Sequence, residues 1–114
     1  MTLNRELTAA STIPLVLSIL DRRECYGYLL IKEVRDLSGD RIAWSDGMLY
    51  PVLRRLESQS LIVSRWSTAE TGRKRRYYAL TPDGREELRR QKEQWKLVGD
   101  VLHRLWKEDA SCST

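Results

Sequence analysis

The sequence predicts a mainly α fold with a two-stranded β-hairpin past its middle and a long helix at its end. Three observations point to it. Leu49, Val52, Leu53 and Leu56 fall at i, i+3, i+4 and i+7, one buried stripe on a helix over 45–56. Ile62 to Ser67 and Arg75 to Leu80 both alternate and are rich in β-formers, with a loop too long for a two-residue turn between them. Leu88, Trp95 and Leu102 recur at seven-residue spacing, and Gln91, Val98 and Leu105 fill the intervening slots. Helices, hairpin and terminal rod in that order describe a winged helix-turn-helix with a β wing and a long C-terminal dimerisation helix.

Residues 3 to 20 read as one helix broken, or two joined, near Ser11-Thr12-Ile13-Pro14. Ser11 or Thr12 can cap a second piece, and Pro14 suits its first turn. Leu15, Val16, Ile19 and Leu20 form an apolar face, whereas Leu3, Leu7 and Ala10 are a weak stripe that needs a partner. Asp21 to Glu24 is a charged turn. Tyr26 to Leu37 is the next helix, lined by Tyr26, Leu30, Val34 and Leu37, and Gly39 supplies a left-handed residue at its end. Ile42 and Trp44 anchor the connection that follows.

Ser45 can cap the helix over 45–56 with its hydroxyl. The side opposite the stripe carries Gly47, Tyr50, Pro51 and Arg54, small and polar at its start and cationic further on. That layout suits a helix entering the major groove of DNA. Two residues look unfavourable. Pro51 removes a backbone hydrogen bond, a loss of roughly 3 kcal/mol in an ordinary interior. Gly47 costs about 1 kcal/mol relative to Ala. Either Pro51 is tolerated close to the helix start, or Gly47 permits close approach and Pro51 aims the first turn.

Arg73, Lys74, Arg75 and Arg76 sit at the hairpin tip and the start of its return strand, and Gly72 lets the tip turn. They read as a solvated charge run or as a wing whose cations meet phosphates. Thr81-Pro82-Asp83 starts the last helix with a cap, a first-turn proline and an acid at the positive end of the dipole. Run to Trp106, its about 25 residues make a rod of roughly 37 Å. A small domain cannot cover such a rod, but a second copy can, so a two-fold dimer is expected. Residues 1–80 are then the reading domain, 81–106 the dimerisation helix and 107–114 a flexible tail. The expected interface comprises Leu3, Leu7, Leu88, Trp95, Val98, Leu102 and Leu105.

Composition narrows the function. At 114 residues the chain is one domain, 41% hydrophobic and 32% charged. No run reaches a membrane span, the N-terminus lacks a signal-peptide core, and two cysteines, Cys25 and Cys112, do not make a disulfide framework. A reducing cytoplasm is the expected compartment. Residues 41 to 80 hold eight Lys/Arg against three Asp/Glu, whereas the remainder holds twelve against thirteen. All the excess of the +4 net charge therefore lies with the candidate reading helix and hairpin, as polyanion binding requires. His103 is the only histidine, far from any candidate nucleophile, and no phosphate-cradling glycine loop or paired carboxylate is evident, so no enzyme is expected. Cys25, His103 and Cys112 are too few and scattered for a metal sensor, and no cofactor is expected.

The run Trp44 to Glu57, followed by Leu61-Ile62, resembles the recognition-helix signature of the PadR family of bacterial transcription regulators. Gly72-Arg73, Tyr77-Tyr78 and Leu80 to Gly84 resemble that family's wing and the start of its C-terminal helix, and Tyr26-Gly27-Tyr28 the start of its second helix. The resemblance spans about residues 7 to 106, and the single C-terminal helix looks like the family's smaller subgroup. It implies a homodimeric repressor that binds double-stranded DNA at an inverted-repeat operator. Carried over, it places Ser45, Gly47, Met48, Tyr50, Pro51 and Arg54 at the major groove, and Arg73, Lys74, Arg75 and Arg76 on the wing. Asp46 either accepts from cytosine or serves the helix dipole, and Arg55, off this face, pairs with a nearby acid. Trp95 matches the place where some relatives stack a flat aromatic effector, and is either ordinary interface core or part of such a pocket. Ser60 stands where the family has glycine, which implies strain in the turn before the first strand. A winged helix used for protein–protein contact without DNA is the alternative.

Overall fold

A computed structural model describes residues 1–112, with side chains to 107. Its elements are α1 (Arg5–Arg22), β1 (Cys25–Tyr26), α2 (Gly27–Leu37), α3 (Asp46–Ser58), β2 (Ile62–Thr68), β3 (Lys74–Leu80) and α4 (Pro82–Cys112). The first helix is unbroken. Asn4 caps it, its side-chain oxygen accepting from the Leu7 N–H at 2.8 Å. The hydroxyls of Ser11 and Thr12 instead donate back to the Thr8 carbonyl, at 3.2 and 2.7 Å. Pro14 leaves the Ala10 carbonyl without its helical donor. The next turns nevertheless bury Val16, Leu17, Ile19 and Leu20, and that burial holds the helix together across the proline.

The wing differs from a simple two-stranded hairpin. Cys25 and Tyr26 pair antiparallel with Tyr78 and Tyr77, giving a three-stranded sheet in the order β1-β3-β2. Tyr26 is therefore extended, and α2 starts at Gly27. The buried stripe of α2 is Leu30, Ile31 and Val34, while Leu37, in its last turn, is exposed. A common core gathers Val16 and Leu17 of α1, Leu30 of α2, Leu49, Leu53 and Leu56 of α3, and Ile62 of β2. Trp44 anchors the α2–α3 connection as expected, 3% exposed, although its indole N–H has no partner among the described residues.

Both helices that precede this core end in the same hydrogen-bonded turn. After α2, the Gly39 N–H donates to Asp36 at 3.2 Å and the Asp40 N–H to Arg35 at 2.8 Å, with Gly39 at φ +61°. After α3, the Ser60 N–H donates to Glu57 and the Leu61 N–H to Leu56, both at 3.0 Å. Ser60 adopts φ +60° there, the left-handed conformation that glycine accepts at lower cost.

The start of α4 is locked to this second turn. The Thr81 N–H donates to the Leu61 carbonyl at 3.1 Å. The Thr81 hydroxyl donates to Ser60 at 2.7 Å and accepts from the Gly84 N–H at 2.9 Å, capping the helix. Gly84 sits so close that a Cβ would overlap the Leu61 carbonyl and lie 2.7 Å from the Leu80 side chain. Arg85 donates to Asp21 of α1 at 3.3 Å. Leu88, expected in the dimer seam, is 2% exposed and belongs to the chain's own core, because the first turns of α4 pack on α1. Beyond it the helix leaves the body, which makes the molecule 62 Å long and 30 by 21 Å across. It stays helical to Cys112, past the end expected at Trp106, so the tail expected over 107–114 is helix as far as that residue. Residues 113–114 lie outside the described residues.

Gly84→Ala should therefore destabilise the fold by about 2 kcal/mol, since backbone rather than a flexible side chain blocks the new methyl. Ser60→Gly should stabilise it by about 1 kcal/mol. Denaturant unfolding at fixed protein concentration tests both, and a Gly84→Ala variant as stable as the parent would refute the contact.

Candidate nucleic-acid interface

Local rules set the reading face of α3. Ser45 is the N-cap, its hydroxyl oxygen accepting from the Met48 N–H at 3.2 Å. Asp46 follows in the first turn, at the positive end of the dipole. Leu49, Leu53 and Leu56 turn inward, with Val52 half-buried beside them. A Cβ on Gly47 would meet nothing within 4 Å, so its backbone faces open space. Pro51 and Arg54 are exposed. Met48, expected on this face, is half-buried and packs partly against the core.

Tyr50 is held from below. A Cβ on Gly27 would overlap the tyrosine hydroxyl and fall 2.8 Å from Cζ. The phenol thus lies over the first residue of α2, and a side chain there would have to push it aside. Tyr26-Gly27-Tyr28 is the junction that seats this side chain, a role no periodicity could reveal.

The hairpin folds up beside α3. Gly72 turns its tip at φ +84°, and the register sets Trp66 opposite Arg76 and Thr68 opposite Lys74. Directly paired residues share a sheet face, so Ser64, Trp66, Arg76 and Tyr78 lie together. A cleft between α3 and the wing brings Asp46, Tyr50 and Arg54 together with Trp66, Arg73 and Lys74. Trp66 is 66% exposed there. The sequence reading missed it, although its place in the β2 alternation opposite Arg76 was a signal.

The four wing cations are not equivalent. Arg73 and Lys74 are exposed and form no ion pair among the described residues, and the same holds for Arg54. Arg76 is engaged. It donates from Nε to Ser64 at 2.8 Å and from Nη2 to Glu57 at 3.1 Å, while Ser64 donates to the same carboxylate at 2.6 Å. Arg75 lies on the other sheet face, its guanidinium 4.5 Å from the centre of the Tyr26 ring. Tyr26 meets Tyr77 edge-on at 5.4 Å, and Arg65 covers Tyr77 at 5.2 Å while bonding Glu24 at 2.6 Å. The hydrogen bond from Arg65 holds the Glu24 carboxyl below its usual range. Burial raises the Tyr78 hydroxyl and the Cys25 thiol, so both stay protonated at neutral pH. Arg55 makes no ion pair among the described residues, contrary to the pairing expected for it.

The rod carries a bare apolar stripe. Trp95, Val98, Leu102 and Leu105 are all exposed, joined by Val101 and Trp106. Leu7 is also exposed, whereas Leu3 is half-buried and its N–H donates to the Arg41 carbonyl at 3.0 Å. Among the described residues no group of acidic, His or Cys side chains could hold a metal ion, and no helix is long and apolar enough to cross a membrane.

Similarity to known proteins follows this geometry. The sequence model of the Transcriptional regulator PadR-like family matches residues 16–90. The chain is 37% identical over 87 residues to the transcriptional regulator YqjI of Escherichia coli, covering 76% of this chain and 40% of that protein. A PadR family transcriptional regulator from Eggerthella lenta shares 38% identity at a TM-score of 0.76, over 88% of this chain and 85% of the other. A transcriptional regulator from Clostridium thermocellum shares 26% identity at 0.81, over 90% and 97%.

The contact between Gly27 and Tyr50 makes a stability cycle decisive. Gly27→Ala should cost about 1 kcal/mol alone and close to nothing in a Tyr50→Ala background. Strict additivity in thermal unfolding would show that the two do not touch.

Proposed function

The chain belongs to the PadR-like family of transcriptional regulators, and we propose that it acts as a homodimeric repressor on an inverted-repeat operator in double-stranded DNA. One observation carries this reading: three exposed cations that form no ion pair among the described residues, Arg54, Arg73 and Lys74, border the cleft where α3 and the wing converge. Such cations make sequence-independent phosphate contacts, which supply affinity. Choice of sequence falls to the start of α3. Ser45, Gly47, Tyr50 and Pro51 enter the major groove, with Arg54 reaching phosphate or guanine. Met48 contributes only the edge that its core packing leaves outside. Arg75 and Arg76 serve from behind, the one on Tyr26 and the other on Glu57. A protein–protein module without DNA has no use for a cationic cleft and is not favoured.

A second copy completes the molecule. The stripe of Trp95, Val98, Leu102 and Leu105 on a helix standing clear of its own body is too large to leave in water. Pairing two rods, with Leu7 and the edge of Leu3 at their flanks, covers it. The dimer would hold two reading heads in two-fold relation, matching a palindromic site. The first turns of α4, with Leu88, then belong to the reading head, and the dimerisation segment begins beyond them. Trp95 in that interface would offer a flat ring to a small aromatic effector that releases the operator.

In vitro selection from random duplexes should enrich a two-fold symmetric site with half-sites about one helical turn apart. Gly47→Ala should stabilise the fold by about 1 kcal/mol yet weaken binding to that site, because its open space is lost only when DNA fills it. Arg73→Ala should lower the slope of log K against log salt by about 0.9. Enrichment of no sequence, with binding insensitive to salt, would refute the reading.

Sedimentation should give a dimer, and Val98→Asp with Leu102→Asp should convert it to monomers whose reading heads stay folded. Trp95 emission in the dimer should quench saturably with planar cationic aromatics. A monomeric parent protein would remove both the interface and the effector site.

A further inference from the structure

We propose that Trp66 is the wing residue that packs against deoxyribose, and that Arg76, pinned by Glu57, is the strut that presents it. This rests on the DNA-binding reading above. The largest side chain of the hairpin is also among its most exposed, at 66%, and it lines the cleft facing Tyr50 and Arg54. The hairpin itself cannot cover it. Register places it opposite Arg76 and two residues along β2 from Thr68, whose partner is Lys74. The guanidinium of Arg76 lies 6.0 Å from the Trp66 ring centre and 5.8 Å from that of Tyr78. Its donors are engaged within the chain, with Ser64 and Glu57 at 2.8 and 3.1 Å. Glu57 stands in the last turn of α3, so the network fixes the wing relative to the reading helix.

The chemistry then selects the occupant. The edge of a DNA groove alternates an anionic phosphate with an apolar sugar. The cleft sets the same two chemistries side by side, with Arg73 and Lys74, which form no ion pair among the described residues, near a bare indole. Phosphates take the cations, and a neighbouring sugar takes the ring. Burying an aromatic face adds affinity that salt does not screen, whereas each phosphate contact releases counterions. Trp66 and Arg73 should therefore separate cleanly in a salt series. Arg76 is a positioning residue and should contribute nothing to the slope.

The test uses the full-length protein and a labelled duplex carrying the sequence enriched by selection, titrated over a range of salt. Trp66→Ala should weaken binding about tenfold with the slope of log K against log salt unchanged. Trp66→Phe should recover most of the loss. Arg76→Gln and Glu57→Gln should each weaken binding with the slope unchanged. If Arg76 were a phosphate ligand, its loss would lower the slope by about 0.9, and Glu57→Gln would strengthen binding by releasing it. That pattern, or a Trp66→Ala protein that binds like the parent, overturns the proposal while the DNA-binding reading stands. A parent protein that binds no duplex at all sinks both.

Discussion

The carbonyl oxygen of Leu61 is where reading helix, sheet and rod meet. It lies one residue past the turn that ends α3, accepts from the Thr81 N–H, and leaves no room for a side chain at Gly84. The Thr81 hydroxyl adds a bond to Ser60 while capping α4. Three elements thus share a joint a few ångströms across, made of backbone groups that cannot shift independently. The direction of α4 is fixed to the end of α3 rather than to a flexible linker. The left-handed Ser60 is the cost of bringing the chain through so tight a corner.

A second constraint governs charge. The return strand carries adjacent cations, yet neighbours differ because sheet faces alternate. Arg76 turns toward α3 and finds Glu57; Arg75 turns away and finds the Tyr26 ring. Arg73 and Lys74, at the tip, form no ion pair among the described residues. These exposed pairs add little to stability. Their consequence is geometric, since they decide which cations a polyanion can reach.

Much of this was legible in residues. The α3 stripe, the Ser45 cap, the Gly39 turn and the Thr81-Pro82-Asp83 start each rest on local rules, and local rules hold wherever the chain folds. Ser60 in a glycine conformation was legible as well. What escaped depended on distant partners. Two-residue β1 has no periodicity of its own and exists because Tyr77 and Tyr78 arrive beside it. Leu88 fits the heptad as well as Leu102 does, and nothing in that spacing says where the body ends. Likewise, a charge run does not disclose which arginine will meet Glu57, and the strand pattern alone does not disclose that the cleft beside α3 leaves Trp66 bare.

Leu88 divides α4 into two parts with different masters. Below it, the helix plugs the core, seats Gly84 on Leu61 and ties Arg85 to Asp21. Above it, the ion pairs among the described residues stay within the helix, as between Arg89 and Glu93 or Lys96 and Asp100, and the apolar side chains of Trp95 to Trp106 are exposed. A fragment cut at residue 80 would lose its plug, so the reading head cannot be excised at its last strand. The upper turns, by contrast, are an interchangeable handle. Their sequence can drift, and new pairing preferences can arise there, without asking the head to refold.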